Sequence, residues 1–258
     1  PMPGFPFSGN TVISSKEAMT LEKQPKSMVI IGAGAIGVEF AYIYNAFGTE
    51  VTIIEMMPNL LPVEDDDVSD AITKSYRKAG INCLTDTKVT GTCDNGSSVT
   101  ITVENSSGSK EITADCCLVA IGVAPVLPGG QQPKLTDRGW VEISDRYETS
   151  LPNVYAIGDI AGPPWLAHTA SFEAMQCVEG IFVEGTAVKR VGDFPGCTYC
   201  YPEVASVGKT ERALKEEGIE YKVGKFPYQA LGKAQASGET EGFVKILFGK
   251  KYGEVLGA

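Results

Sequence analysis

The stretch that decides the fold runs Lys26-Ser-Met28-Val-Ile-Ile31-Gly32-Ala-Gly34-Ala-Ile36-Gly37-Val-Glu39. Four consecutive apolar residues, Met28 to Ile31, are the pattern of a strand buried on both faces of a parallel sheet. Three glycines follow at once in the spacing G-x-G-x-x-G, between that strand and a helix. Gly32 permits the tight turn, Gly34 lets a diphosphate approach the backbone, and Gly37 lets helix and strand pack closely. The helix carries apolar residues at Ile36, Phe40, Ile43 and Phe47, and Gly48 sits where a helix-terminating glycine belongs. A second strand over residues 50–55 holds Val51, Ile53 and Ile54 and ends on Glu55. A carboxylate there accepts hydrogen bonds from both ribose hydroxyls and repels a 2′-phosphate, which favours NAD over NADP. The competing reading is a glycine-rich turn without a ligand. The strand–helix context and the acid together favour the nucleotide.

Outward from this unit, Pro58 and Pro62 break the chain, and Asp65, Asp66 and Asp67 open a helix where carboxylates suit the positive end. Val68, Ile72, Tyr76 and Ala79 mark its buried stripe, Gly80 ends it, and residues 81–84 read as a strand. Over residues 89–113 the period changes to two, with Val99, Ile101 and Val103 alternating with polar residues between turn-forming clusters. Residues 116–122 return as a buried strand ending on Gly122. The order β-α-β-α-β, meander, β predicts an α/β fold: a Rossmann-like doubly wound domain with an antiparallel meander insertion.

Residues 154–159 read as a further buried strand ending in Gly158-Asp159, a place from which one carboxylate can meet a sugar-like hydroxyl. Leu166-Ala167-His168 stands at the start of a helix running to about residue 188, with a stripe of Ala170, Ala174, Cys177 and Ile181. After Phe194 come a strand at 203–208, a helix at 210–217 and antiparallel strands at 221–226, 243–248 and 252–256, part of an α+β domain. The expected organisation is a connector over 1–23, with a short helix at 16–21, a nucleotide domain over 24–147, a linking segment over 148–190 and the last domain from 191 to 258.

The chain has 258 residues and a formal net charge of −10. An acidic surface repels phosphate backbones and anionic lipid, so neither nucleic acid nor a membrane is an expected partner. No apolar run approaches the ~20 residues that cross a bilayer. Seven scattered cysteines form no disulfide framework and fit a reducing compartment, cytosol or organelle matrix. Both ends of the chain read as boundaries inside a longer protein. Cys197-Thr-Tyr-Cys200 invites a redox or zinc reading, but it precedes a proline and a strand instead of opening a helix, and zinc needs two further ligands. Cys116 and Cys117 belong to a buried strand and serve packing. No metal site is expected. On the residues alone, Glu39 is a solvated helix glutamate.

The stretch 149–168 (TSLPNVYAIGDIAGPPWLAH), residues 32–55, Pro202-Glu-Val-Ala-Ser-Val-Gly208, residues 232–248 and Val255-Leu-Gly-Ala258 together resemble the flavoprotein disulfide reductases, and among them the dihydrolipoamide dehydrogenase group. The resemblance covers essentially the whole chain in order. It implies an NAD site formed by Gly32, Gly34, Ile36, Gly37, Glu55 and Gly122, with Glu39 at the nicotinamide. It implies FAD contacts from Asp159, at the ribityl chain, and from Leu166, Ala167 and His168 beside the flavin ring. It further implies a dimerisation domain beginning near 191, a homodimer, and service to lipoyl-bearing subunits of 2-oxoacid dehydrogenase or glycine cleavage complexes. In the family, protein-bound dihydrolipoamide is oxidised, with electrons passing through a disulfide and FAD to NAD⁺. Mercuric reductase, glutathione-type reductases and soluble transhydrogenase share the pattern, although Glu55 argues against the NADPH-using members. A module that binds NAD without catalysis, or one that only dimerises, are the remaining alternatives.

Departures from the family pattern are equally concrete. The Cys-x-x-x-x-Cys pair, the FAD glycine loop and the C-terminal His-Glu dyad do not occur here, and the single histidine, His168, lies in the flavin-facing segment. Val123-Ala-Pro-Val126 stands where an arginine followed by Pro and Asn is usual. No catalytic residue is therefore assigned. The purified 258-residue chain is expected not to turn over dihydrolipoamide; NADH formation from dihydrolipoamide and NAD⁺ in a spectrophotometric assay would overturn that expectation.

Overall fold

The computed structural model describes residues 7–186, 188, 190 and 192–258. They form two compact units, one of residues up to Gly122 together with Cys197–Ala258, the other of Val123–Gly196. The start of the expected connector, residues 1–6, lies outside the described residues, as does residue 187 near the expected helix end.

The first unit opens with β1 (Val12–Ile13) and α1 (Ser15–Ala18), where Ser14 and Glu17 form a reciprocal capping box. Next come β2 (Ser27–Ile31), α2 (Ala35–Ala46), β3 (Glu50–Ile54), α3 (Asp66–Lys78) and β4 (Asn82–Leu84). The meander is β5 (Lys88–Asp94), β6 (Val99–Asn105) and β7 (Gly108–Ala114), followed by β8 (Cys116–Val119). Five strands form one sheet in the order β1-β8-β2-β3-β4, and every pairing in it is parallel. Residues 12–13 of the expected connector thus supply an edge strand. Two residues are too few to carry a periodic signal, and only pairing with Cys117 and Leu118 defines them.

One face of this sheet is covered by α2 and α3 through Met28, Ile30, Val38, Ala41, Ile53, Ile72 and Tyr76. The meander covers the other face, where Val99, Ile101 and Val103 meet Val29, Ile31, Ile54 and Cys117. The meander thus takes the place that a helix layer holds on the second face of a doubly wound sheet. The period-two pattern is what allows this: one face of β6 is apolar and the other wet.

Of the expected apolar series of α2, Phe40 packs against the core while partly buried. Ile43 and Phe47 are exposed, whereas Gly37, Val38, Ala41 and Tyr44 are buried. Small residues at Gly37 and Ala41 let the helix axis approach the sheet, and the large apolar residues are displaced outward. The α3 stripe holds at Ile72 and Tyr76, with Ser69 as its third buried member. Both buried tyrosine hydroxyls find partners: Tyr44 donates to the Ala18 carbonyl at 2.6 Å and Tyr76 to the Val38 carbonyl at 2.7 Å.

In the second unit, the expected strand over 154–159 is absent. Tyr155 makes a single bridge with Glu148, and Gly158–Ala161 is a turn of 3₁₀ helix. Gly158 has φ +66° and its N–H is taken by a carboxylate, so a ladder cannot continue through it. The helix that follows is α4 (Ala167–Phe182). Its buried residues are Thr169, Glu173 and Cys177, one position before the expected Ala170 and Ala174, and Ile181 is exposed.

The remainder of the first unit contains β9 (Gly196–Thr198), β10 (Val204–Ser206), α5 (Glu211–Glu216), β11 (Tyr221–Pro227), α6 (Gly232–Ser237), β12 (Phe243–Gly249) and β13 (Val255–Gly257). Strands β11, β12 and β13 form an antiparallel sheet. This segment is fastened to α3 by charge. Lys245 of β12 is buried, and its ammonium contacts Asp65 (2.7 Å) and Asp67 (2.8 Å) at the start of α3 and the Glu211 carboxylate of α5. The Glu211 N–H also donates to Asp65 at 3.0 Å, and Arg212 Nη2 donates to the Pro62 carbonyl at 2.7 Å.

Burial alone would raise the Asp65 carboxyl, but the Glu211 N–H and the Lys245 ammonium outweigh it and hold it below the usual range. Lys245 lowers Asp67 and Glu211 in the same way. Depressed carboxyls contribute stability that is complete above their unfolded values of about 4 and is lost as pH falls through the folded ones. We therefore expect the urea midpoint of the chain to fall steeply below about pH 4. Lys245→Met should destabilise by about 3 kcal/mol, because it leaves three neighbouring carboxylates without their cation. Its acid dependence should be shallower, since protonation then relieves repulsion. Equal acid slopes for both proteins in urea titrations would contradict the assignment.

Candidate nucleotide site

Where β2 ends, Gly32 turns the chain with φ +100°, and its N–H donates to the Ile54 carbonyl at 2.8 Å. A Cβ at Gly32 would lie 2.5 Å from the Ala120 carbonyl oxygen, and one at Gly37 would lie 2.0 Å from the Gly32 carbonyl oxygen. Both positions therefore exclude any side chain, the second because α2 sits directly on the turn. Gly34 differs. Its φ is −70°, and a Cβ there would meet nothing within 4 Å. The turn needs no glycine at that position for its own sake, and the space in front of it is open.

Gly34 is also the N-cap of α2 and offers no side-chain cap. The N–H groups of Ala35 and Ile36 open the helix without an acceptor among the described residues, as the first turn of an uncapped helix does. Donors of this kind, with the helix dipole behind them, form an anion site. The residues present thus fit a diphosphate: an open cradle and unengaged amides.

Glu55 follows β3 and is held from two sides. The Ala33 N–H donates to Oε2 at 2.7 Å and the Met57 N–H to Oε1 at 2.8 Å. A carboxylate has about four lone-pair sites, so two remain for hydroxyl donors. The glycine turn itself thus orients the acid, a link that spacing alone does not reveal. Leu61, with φ +48°, closes the far side of the turn by donating its N–H to the Ala33 carbonyl at 2.8 Å. Gly122, beyond the end of β8, has φ +124° and an open Cβ direction. Glu39 lies on α2, and its Oε1 accepts from the Tyr199 N–H at 2.8 Å. Gly32, Gly34, Ile36, Gly37, Glu39, Glu55 and Gly122 all belong to the first unit.

Asp159, Leu166, Ala167 and His168 lie in the second unit. Asp159 is exposed on the 3₁₀ turn, and Leu166 is the N-cap of α4 without a side-chain cap. His168 Nε2 donates to the Pro195 carbonyl at 2.9 Å, so the proton sits on Nε2. Buried Glu173, which sequence reasoning missed, accepts from the Gly158 N–H at 2.7 Å and fixes the turn that presents Asp159. Its only signal is a charged residue beside the helix stripe. Thr169 Oγ1, one turn into α4, is buried and has no hydrogen-bond partner among the described residues. An uncapped helix start with an orphaned hydroxyl beneath it and a free carboxylate nearby fits a polar ligand such as a flavin nucleotide.

Four buried cysteines are held as thiols. Burial pushes Cys116 and Cys117 up to about 12, and Cys83 and Cys200 up to about 11. Reactive thiols shift the other way. Asp65, Asp67 and Glu211 bring three carboxylates together, but Lys245 supplies the positive charge among them.

The sequence profile described as pyridine nucleotide-disulphide oxidoreductase matches residues 1–174, and that of the family's dimerisation domain matches residues 194–258. A dihydrolipoyl dehydrogenase of Rhizobium etli is 43% identical over 263 residues, covering 100% of this chain and 54% of the relative. The mitochondrial dihydrolipoyl dehydrogenase of Caenorhabditis elegans is 39% identical, covering 100% of this chain and 53% of the relative. The chain thus spans about half the length of these curated relatives. Among solved structures, the HOCl-induced flavoprotein disulfide reductase RclA of Escherichia coli superposes with a TM-score of 0.88 at 26% identity, over 100% of this chain and 59% of that one. LpdA of Mycobacterium tuberculosis shares the fold with a TM-score of 0.87 at 22% identity, over 100% of this chain and 56% of that one.

Gly34 and Gly37 should separate in mutagenesis. Gly34→Ala is expected to melt like the unmodified chain while weakening NADH binding about tenfold, ~1.4 kcal/mol. Gly37→Ala should lower the melting temperature by several degrees, because α2 must lift off the turn. Differential scanning calorimetry with fluorescence titration of NADH checks both, and a Gly34→Ala chain that binds NADH normally would remove the cradle.

Proposed function

Because the chain belongs to the pyridine nucleotide-disulphide oxidoreductase family, we propose that it provides the NAD site, a flavin-facing segment and part of the dimer-forming portion of a dihydrolipoyl dehydrogenase. The reaction of the whole enzyme is the oxidation of protein-bound dihydrolipoamide, with electrons delivered through a disulfide and FAD to NAD⁺. The observation that carries the reading is the open Gly34 cradle at an uncapped helix start, together with a Glu55 carboxylate oriented by the same turn.

In this reading the work of the chain is binding and orientation. The amides of Ala35 and Ile36 neutralise the diphosphate, and Gly32 and Gly37 keep them in place. Glu55 accepts from the adenosine ribose hydroxyls, and its charge repels a 2′-phosphate. Glu39 serves the nicotinamide half, and Gly122 leaves room beside it. Asp159, Leu166, Ala167 and His168 serve FAD, which supplies the electron relay between thiols and nicotinamide. Residues 24–147 form the NAD domain, residues 148–190 the segment that returns to the flavin, and residues from 191 the start of the interface domain. The partners are a second copy of the protein and lipoyl-bearing subunits of 2-oxoacid dehydrogenase or glycine cleavage complexes. The dimerisation-domain match and the names of the relatives support this.

The chain should bind NADH at least about tenfold more tightly than NADPH, and Glu55→Arg should abolish or reverse that preference. Isothermal titration with both nucleotides decides it. Equal affinities in the unmodified chain would overturn the ribose assignment.

A further inference from the structure

Glu39 is held by a backbone donor from far along the chain. The Tyr199 N–H donates to Glu39 Oε1 at 2.8 Å, across a sequence separation of 160 residues. Oε2 has no partner among the described residues, so one oxygen is fixed and the other is left for a ligand donor. An unheld glutamate samples many rotamers, and ordering it opposes binding. A carboxylate already ordered meets its ligand without that loss.

The segment that carries Tyr199 is held at two places. Beside it, buried Cys200 donates to the Pro202 carbonyl at 3.2 Å and lies against Tyr76, whose hydroxyl donates to the carbonyl of Val38, the neighbour of Glu39. Farther off, Lys245 binds Asp65 and Asp67 at the start of α3 and Glu211 of α5. Lys225 adds a contact to Asp67 at 3.1 Å, and Tyr221 donates to Glu211 at 2.6 Å. The segment 197–258 thus rests on α2 through Tyr199 and on α3 through Lys245.

We propose that residues 197–258 position the dinucleotide site: the Tyr199 N–H sets the Glu39 carboxylate for the nicotinamide, and Lys245 is the positioning residue that seats the segment. The inference rests on reading the Gly32–Gly37 turn as a dinucleotide site with Glu39 at its nicotinamide. It adds that affinity for the nicotinamide depends on a lysine that touches no part of the ligand.

The test uses the full 258-residue chain and two probes, NADH and ADP-ribose, which keeps the adenosine, the diphosphate and the second ribose but has no nicotinamide. Affinities are measured by isothermal titration for the unmodified chain, Lys245→Met, Lys245→Arg, Glu39→Ala and the Glu39→Ala/Lys245→Met pair. Lys245→Met should weaken NADH about fivefold or more and leave ADP-ribose unchanged. Lys245→Arg, which keeps the charge, should recover part of the loss. Glu39→Ala should lose NADH affinity similarly, and the double variant should be no worse than Glu39→Ala alone, because both act through one carboxylate. Equal losses of NADH and ADP-ribose would reduce Lys245 to a structural role and overturn the proposal, as would losses that add in the double variant. If Lys245→Met does not fold, Asp67→Asn, which removes one partner of the same lysine, takes its place with the same criteria. Failure of the unmodified chain to bind ADP-ribose would refute the underlying site reading, a result distinguishable from the others.

Discussion

The contact of Gly37 with the Gly32 carbonyl governs much of the first unit. A Cβ at Gly37 would stand 2.0 Å from that oxygen, so α2 rests directly on the turn that leaves β2. Several consequences follow from this closeness. Where α2 comes nearest the turn its residues must be small, and Gly37 and Ala41 are buried there. The space that a Cβ at Gly34 would enter, at the start of the helix, is open. The turn is also tight enough for the Ala33 N–H to reach Glu55 at the end of the neighbouring strand. Packing, anion site and ribose acceptor are thus one arrangement, and changing the first disturbs the other two.

A second constraint is electrostatic. The aspartates at the start of α3 would suit the helix dipole in any setting. Here Asp65 and Asp67 also complete the partner set of buried Lys245, together with Glu211. A buried ammonium is tolerable only when it is paired and hydrogen-bonded. The three carboxylates meet that need, and they come from two helix starts. Apolar packing continues the same junction, since Cys200 and Val204 belong to the core that includes Ile72 and Tyr76.

Legibility in the sequence followed the range of the interaction. Local patterns sufficed for β2, the glycine turn, β3 and the meander, because each is written in a handful of consecutive residues with one period. The α3 stripe was equally plain at Ile72 and Tyr76. What failed was decided at a distance. Hydrophobicity along α2 marked Phe47, but close packing selected small residues instead. The stretch 154–159 has the composition of a buried strand, yet Glu173 captures the Gly158 N–H and the chain turns. Glu173 and Thr169 face inward on α4 where alanines seemed the better core residues. Lys245 lies in an expected strand, and nothing near it in sequence announces Asp65, 180 residues earlier. Among the candidate site residues, Glu55 and the three glycines rest on spacing with a physical reason. Glu39, Gly122 and the flavin-facing group rest on family resemblance, and the structure adds only their local surroundings.

The proposed dinucleotide lies on the Gly32–Gly37 turn, with its diphosphate on the α2 amides and its adenosine ribose on Glu55. A crystal structure of the chain grown with NAD⁺ tests it most directly. Diphosphate oxygens are expected within hydrogen-bond distance of the Ala35 and Ile36 N–H groups, about 2.7–3.2 Å, with both ribose hydroxyls donating to Glu55. A nucleotide bound elsewhere, or one at this turn with its ribose directed away from Glu55, would contradict it.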